Sequence, residues 1–417
     1  MLRSLVAGIL LAFAGSRANI ARTILSCAGI VVGVGSLIAV VTAGDFGQRF
    51  AVSYSEANAG RPATLSVGLW GGEVTDVVAF EEDLHRAGGQ DVSIYHSIGN
   101  TSMRSGDQVV RDVEFRAVDA TLADIRRINM TEGRWFTEAD SRSLAPVMVV
   151  NQTLAADLGD VTTVQIGTDH WMDVRVVGVS QSSTLDFGWY SAYLLRAPAT
   201  EELIFGEAVE TSEDGATAPV SLKDFEYLVR IDPSDTAAED PWGTVFSDRM
   251  MSASERWGPD LSEDALTSYR ADYAEEVNEL ITYLSIGLIG IAAITLTTGL
   301  LGVLNVGLVT VRERRRELAT YRALGATRFT LFVAVVMESV VVSLVAGVLA
   351  LLGCWVLVTT GGVIAASFID LPPDVALTIP LTAVLVGLGS AAGVGLLAGV
   401  IPALRALRSS VVAGLRE

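Results

Sequence analysis

Few residues in this sequence have the types and spacing that catalysis needs. His85, His96 and His170 stand far apart, so no His-x3-His pair can offer a metal two imidazoles from one helix face. A phosphate-binding loop needs a lysine behind a glycine-rich turn, yet the single lysine, Lys223, follows Pro219-Val220-Ser221-Leu222. If nucleotide hydrolysis drives this protein, another polypeptide performs it. No Gly-x-Ser-x-Gly turn occurs, and the paired carboxylates Glu81-Glu82 and Glu201-Glu202 lie in polar contexts that solvated faces explain. The expectation is a chain with no catalytic residue and no metal site.

The chemistry that remains is electrostatic, and it gathers in residues 312–328, which hold six arginines. Glu313 and Glu317 are spaced i, i+4, while Leu318, Tyr321 and Ala326 punctuate an otherwise charged helix, giving one side for a partner and one for water. Gly325 suits a left-handed helix stop and Thr327 suits the cap of the next helix. An anchor of arginines beside a membrane explains the same residues without a partner, so the segment alone leaves both readings open. Glu338 is the other notable charge. It falls inside an apolar run, where a carboxylate costs about 2.5 to 3.5 kcal/mol on insertion scales, so it should pair, with Arg322 or Arg328 in reach.

The elements that must position these residues are membrane spans. Thr23 to Gly44 runs 22 residues without a charge, Leu280 to Val311 runs 32 and Val375 to Leu404 runs 30, while Phe329 to Ile369 holds only Glu338. Each run is long enough to cross about 30 Å of hydrocarbon. The segments 1–22, 312–328 and 405–417 carry twelve arginines against three acids, whereas residues 45–278 carry 41 acids against 17 bases. Basic loops stay inside, which predicts cytoplasmic termini, a cytoplasmic 312–328 loop and an outer 45–278 segment in a protein of the cytoplasmic membrane. The fold class expected is therefore an integral membrane α-helical protein of four transmembrane helices with a large mixed α/β extracytoplasmic domain between helices 1 and 2. Its predicted parts are an interfacial helix over 1–22, spans over 23–44, 279–311, 329–358 and 377–404, an outer loop over 359–376 and a tail over 405–417. Met1 to Ala14 also reads as a signal peptide ending at Ala12-Phe13-Ala14, but the run is short and a full span begins nine residues later.

The outer segment alternates strand-like runs with turn signals, so it should be a folded body. Residues 109–118 nearly alternate and predict one half-buried strand; Val147–Val150, Met172–Val179 and Tyr227–Ile231 predict others. Ala79–Ala87 and Thr153–Leu158 read as helices, and Glu201–Ala218 as loop. Two lobes follow, residues 45–119 with 219–270 beside the membrane and residues 120–218 inserted. From Tyr269 no helix breaker appears before Gly287, which predicts a stalk continuous with the second span. The acidic surplus fits a solvated surface better than a basic ligand, and it excludes nucleic acid, since no outer basic patch could neutralise phosphates. Cys27 and Cys354 both fall in spans, so no disulfide framework holds the outer domain. The spans are rich in glycine, with Gly29-x3-Gly33, Gly389-x3-Gly393 and Gly395-x3-Gly399 allowing close helix approach, either within the chain or at a dimer seam.

The inner loop, with Glu317-Leu318, Arg322-Ala323-Leu324-Gly325-Ala326-Thr327 and then Glu338 inside the next span, resembles the signature of the MacB/FtsX-like permeases of ABC transporters. The resemblance extends to Ser26–Val41 with Gly44-Asp45, to Gly133-Arg134-Trp135-Phe136-Thr137 with Asp140, to Val149-Val150-Asn151 and Val177-Gly178-Val179, and to Ile401-Pro402-Ala403-Leu404-Arg405-Ala406. Ser409-Ser410-Val411 departs from the Asp-Pro often found near that family's end. The resemblance implies a mechanotransmission (type VII) machine without a fused ATPase domain. Two permeases, copies or paralogues, bind ABC ATPase subunits that hold ATP and Mg, while this chain binds no cofactor. Arg314, Arg315, Glu317, Leu318, Tyr321, Arg322, Leu324, Gly325 and Ala326 would form the coupling surface. The implied activity is export or extraction of a hydrophobic, peptide or lipid-like substrate. The alternative is an FtsX-like regulator that activates a cell-wall hydrolase, and an adaptor or hydrolase outside the membrane would be a further partner.

Overall fold

In hydrocarbon every backbone N–H and C=O must be paired within the chain, so long uncharged runs fold as helices. The structure, a computed structural model, describes residues 20–408 apart from 71, 100, 107, 160, 168–169, 182–188, 206–224, 263 and 366–374. Residues 359–365, expected as outer loop, are helical and extend the third span, while 366–374, the greater part of the predicted 1–22 helix, the tail beyond 408 and Lys223 lie outside the described residues. Two compact units emerge, one over Phe50–Asn278 and one made of the membrane segments. Helix α1 (Ile20–Asn58) has 39 residues, a length of about 60 Å, roughly twice the hydrocarbon thickness. It passes the predicted end at Gly44 because residues 45–58 contain no proline, and Arg49 pairs with Asp45 at 2.7 Å one turn away.

The outer domain follows. Its strands are β1 (Thr64–Leu69), β2 (Gly89–Ile98), β3 (Ser102–Ser105), β4 (Gln108–Val110), β5 (Val113–Val118), β6 (Met130–Gly133), β7 (Val147–Asn151), β8 (Thr163–Gly167), β9 (Trp171–Ser180), β10 (Tyr190–Leu195), β11 (Glu226–Ile231) and β12 (Leu266–Arg270). Its helices are α2 (Val77–Arg86), α3 (Leu122–Ile125), α4 (Glu138–Ser141), α5 (Gln152–Leu158), α6 (Glu201–Phe205) and α7 (Thr244–Met251). The strands form one sheet in the order β12-β1-β11-β2-β5-β10-β7-β9-β8-β3-β4, with β6 beside β9. Most pairs are antiparallel, but β7 with β9 and β5 with β10 run parallel, the latter with Tyr190 opposite Val113 and Leu195 opposite Val118.

Three core clusters fill this domain, the third being Val118, Leu122, Ile125, Phe136, Val147, Val149, Leu195 and Leu228. Phe80 centres the first, in ring contact with Phe225, Tyr227 and Trp257 at centroid distances of 5.3, 5.6 and 4.9 Å. Phe115, Met148, Ile166 and Leu194 belong to the second. The expected boundary at residue 119 is corrected. Strand β2 serves both halves, pairing with β11 over Gly89–Ile94 and with β5 over Tyr95–Ile98, so β3, β4 and β5 belong with the second core. The strand expected over 109–118 is two strands, separated where Asp112 takes a left-handed φ of 59°. An aspartate tolerates that conformation better than a branched residue would. Residues 201–205, expected as loop, form α6, and Tyr269 lies in β12 rather than in the stalk.

The remaining helices are α8 (Ala274–Glu313), α9 (Arg315–Ala323), α10 (Arg328–Ala365) and α11 (Leu381–Arg408). Among the described residues, α1, α8, α10 and α11 are the four helices long and apolar enough to cross a membrane. Ile30, Val34 and Ile38 of α1 pack with Val303, Ala346, Ala350 and Ala391 in the core of the bundle. Small residues set the approach. A Cβ added at Gly29 would lie 3.2 Å from the Gly299 Cα, and one at Gly33 would lie 2.9 Å from the Leu296 Cα. On α11, a Cβ at Gly395 would meet the Val340 Cα at 2.7 Å, and one at Gly399 the Val336 Cα at 2.9 Å. Gly389 and Gly393, grouped with these by spacing, have no neighbouring atom within 4 Å of an added Cβ, so they make no such contact inside this chain.

Candidate functional site

The inner elbow joins α8 to α10 through the short helix α9. Arg314 sits at the bend with φ −94° and ψ 18°, still linked to α8 by its N–H bond to the Thr310 carbonyl at 2.9 Å. At the other end the chain closes α9 with a paired stop. The Ala326 N–H donates to the Tyr321 carbonyl at 3.0 Å and the Gly325 N–H to the Arg322 carbonyl at 3.1 Å. This Schellman arrangement requires a left-handed residue, and Gly325 supplies it at φ 98°. Thr327 then caps α10, its hydroxyl accepting from the Thr330 N–H at 3.1 Å.

The elbow borders an open apolar pocket of about 170 Å³ lined by Leu318, Tyr321 and Ala326 on one side and by Leu331, Ala334 and Val335 of α10 on the other. Arg314 and Glu338 close its polar edge. Arg314 Nε donates to Glu317 Oε2 at 2.9 Å, and its Nη1 lies 3.2 Å from Glu338 Oε2. The partner of Glu338 is thus Arg314, and the expected pairing with Arg322 or Arg328 is corrected. Arg314 stands at the bend itself, where the chain turns back along α10. Burial works against the Arg314 charge, but the Glu317 hydrogen bond and the Glu338 carboxylate outweigh it and raise the guanidinium above its ordinary value.

Of the residues singled out from sequence, Arg314, Leu318, Tyr321, Ala326 and Glu338 meet around the cavity, while Glu317 and Leu324 face outward, Leu324 being 80 % exposed. Arg322 and Gly325 build the stop, and Arg315 opens α9. Sequence reasoning passed over Thr330, Leu331, Ala334 and Val335. Their i, i+4 spacing on the first turns of α10 was the available signal, hidden because all but Thr330 of residues 329–336 are apolar. In the outer domain the Gly133–Thr137 motif forms a compact lock. Arg134 binds both oxygens of Asp140 at 2.6 and 2.9 Å, and Thr137 and Asp140 complete a capping box on α4. A side chain at Gly133, where φ is 69°, would bring its Cβ within 2.4 Å of the Val177 carbonyl oxygen.

Four spanning helices, an α/β domain inserted after the first and a charged elbow between the second and third define a class of membrane permease. Residues 23–239 match the MacB-like periplasmic core domain, and residues 289–411 match the FtsX-like permease C-terminal domain. The chain therefore belongs to the MacB/FtsX-like family of ABC transporter permeases, as a multi-pass membrane protein whose inserted domain is extracytoplasmic. It is 24 % identical over 429 aligned residues to the macrolide export ATP-binding/permease protein MacB 1/2 of Paracoccus denitrificans (strain Pd 1222), covering 100 % of this chain and 59 % of that relative. It is 25 % identical over 365 residues to the uncharacterized ABC transporter permease YknZ of Bacillus subtilis (strain 168), covering 82 % of this chain and 84 % of that one. The crystal structure of the periplasmic region of MacB from Actinobacillus actinomycetemcomitans aligns with 52 % of this chain and 92 % of its own, at 12 % identity and a TM-score of 0.36.

Proposed function

We propose that this chain is a permease subunit whose elbow is gripped by a separate ABC ATPase on the cytoplasmic side, with ATP and Mg bound by that partner. Movement at the elbow then passes along α8 and α1 to the extracytoplasmic domain, which exports or extracts a hydrophobic, peptide or lipid-like substrate. Both termini lie in the cytoplasm, and two permease subunits act together. The observation that carries this reading is the elbow, a charged helix fixed at both ends, with Glu317 and Leu324 exposed. A positive-inside anchor needs arginines but not a capped helix with an apolar cavity behind it. Helices of about 60 Å suit the transmission, since each is longer than the hydrocarbon it crosses.

The test is capture of the ATPase by the full-length chain in detergent. Glu317→Arg reverses an exposed charge on the gripping face. Gly325→Pro removes the N–H that donates to the Arg322 carbonyl and forbids the left-handed φ. Both should abolish capture while the chain still inserts. Glu317→Arg leaves an unpaired charge at an interface where that costs about 2 to 5 kcal/mol, so its binding should weaken at least about thirtyfold. Undiminished capture by both variants would refute the assignment.

A further inference from the structure

Two arginines of the outer domain are held alike. Arg196 sets Nε and Nη2 on the two oxygens of Asp119 at 2.8 and 3.1 Å, with Nη1 on Glu81, which also accepts from the Tyr227 hydroxyl at 2.7 Å. Arg270 sets the same two nitrogens on Asp272 at 3.0 and 2.9 Å. That edge of a guanidinium is a planar fork, and its spacing matches two oxygens of a carboxylate or a phosphate. Arg126 breaks the pattern. It is 8 % exposed, the lowest value of any arginine among the described residues, yet no described carboxylate pairs with it. Its one hydrogen bond to a described residue runs from Nη1 to the Tyr95 hydroxyl at 2.8 Å. Nε is buried without a partner, and Nη2 donates to no described residue.

The backbone fixes this side chain in place. Arg126 follows α3 in an extended conformation, φ −112° and ψ 153°, and its neighbours are tied to the end of α1 and the residues just after it. The Arg61 N–H donates to the Ile125 carbonyl and the Arg127 N–H to the Glu56 carbonyl, each at 2.8 Å. Arg127 also takes the Glu56 carboxylate, with its Nε at 2.7 Å.

Phenols surround the Arg126 guanidinium. It lies 4.1 Å from the Tyr95 ring centroid, and Arg116, paired with Glu114, lies 4.7 Å from the same centroid. Tyr273 stands within reach of the Arg126 charge. Burial and the neighbouring Tyr54 hold the Tyr273 phenol above its ordinary value against that charge, so it remains a neutral donor. Tyr95 and Tyr273 are half-buried, and neither hydroxyl proton has an acceptor among the described residues. Donors are therefore in surplus. A cation at this depth without a counter-charge is costly, and the Tyr95 face offsets only part of the cost.

We propose that Arg126 binds a phosphate group, with Nε and Nη2 forked on two of its oxygens and the Tyr273 and Tyr95 hydroxyls donating to the others. A carboxylate spends both oxygens on the fork, whereas a phosphate keeps further oxygens for the phenols. The group belongs to a small phosphate or to a lipid headgroup, which share this chemistry. All four side chains lie in the outer domain, so the site stands apart from the elbow reading.

The experiment uses the full-length chain in detergent, with binding followed by calorimetry. The probes are inorganic phosphate, dihexanoyl phosphatidic acid, its phosphate-free counterpart dihexanoylglycerol, and acetate. Saturable binding of one or both phosphate probes is expected, and the tighter of the two identifies the source. Acetate and dihexanoylglycerol should bind at least about tenfold more weakly. Arg126→Lys keeps the charge but loses the fork, and should weaken phosphate binding at least about tenfold. Tyr273→Phe removes a hydroxyl that bonds to no described residue, so the fold should stand while affinity falls about threefold to tenfold. Should Arg126→Lys fail to fold, Tyr273→Phe decides. No saturable binding of either phosphate probe, acetate binding as tightly as phosphate, or unchanged affinity in Tyr273→Phe would overturn the proposal.

Discussion

Arg196 in the outer domain and Arg314 at the elbow are both partly buried arginines held by two carboxylates, yet they are built differently. The Arg196 side chain is 20 % exposed and its partners 28 % and 19 %, and every nitrogen is bonded. Arg314 is 27 % exposed, its partner Glu317 is 58 % exposed, and the bond to Glu338 is long at 3.2 Å. The first is a closed fastener tying α2 and β11 to the ends of β5 and β10. The second keeps an outward carboxylate and a loosely held inward one, so its pairing can be rearranged at little cost. The difference separates a residue that holds a fold from one that can hand a contact to a partner.

The sharpest way to break this comparison is Arg196→Ala. Glu81 and Asp119 would then face each other without a counter-charge, and removing one member of a buried pair costs about 3 to 5 kcal/mol. Thermal unfolding of the purified chain should show the outer domain melting early, and an unshifted transition would contradict the fastener role. Arg314→Ala should cost less, about 1 to 3 kcal/mol, because the Glu338 carboxylate is left without its donor. Adding Glu338→Gln should restore most of that loss by removing the orphaned charge. The double variant should remain poor at ATPase capture, since the elbow would still lack Arg314. No such single-site rescue is open to Arg196, because both of its carboxylates are partly buried, whereas of the two on Arg314 Glu317 reaches solvent.

Acid sharpens the same contrast through opposite signs. Asp235 is bound by Arg249 at 2.8 and 3.0 Å, and that bond lowers its carboxyl to about 2, below the ordinary 3.8. A lowered folded value means stability that is present above about pH 4 and lost as pH falls toward 2. Asp119 goes the other way, because burial raises its carboxyl despite Arg196. Its contribution is greatest below the ordinary carboxylate value and declines as pH rises through the folded one. Asp235→Asn should therefore reduce the acid sensitivity of unfolding, by less than about 1 kcal/mol once solvent screening of the partly exposed pair is allowed for, whereas Asp119→Asn should reduce the opposing slope. Urea unfolding followed by tryptophan fluorescence between pH 2 and 6 distinguishes them.

The spans were legible in the sequence because charge-free runs of more than twenty residues have few alternatives, and the elbow because Gly325 and Thr327 are local signals. The Arg196 cluster was not. Its members, Glu81, Asp119, Arg196 and Tyr227, are spread over more than 140 residues, and no periodicity links them; only the parallel register of β5 with β10 brings two of them together. The division into lobes failed for a related reason. Strand β2 looks like one strand and is one strand, but it pairs with different partners along its length, and pairing is not written in a single segment. Asp112 is a smaller case, where an alternating pattern concealed a turn because aspartate tolerates it.

Glycine spacing on α11 offers the smallest expected effect. Gly389-x3-Gly393 and Gly395-x3-Gly399 look equivalent by motif, but six residues of helix turn the second pair about 240° from the first, so they occupy different faces. Only the second face is filled within the chain, where an added Cβ would strike the α10 backbone. Gly389→Leu and Gly393→Leu should accordingly not destabilise the folded chain, and helix propensity favours leucine over glycine by about 0.5 to 1 kcal/mol in an exposed helix interior. Thermal unfolding within about 0.5 kcal/mol of the parent, or slightly above it, is the expected result. A clear loss would mean that this face is covered in the assembled protein. Intrachain packing would then explain only half of the glycine pattern, and the other half would belong to a seam between copies.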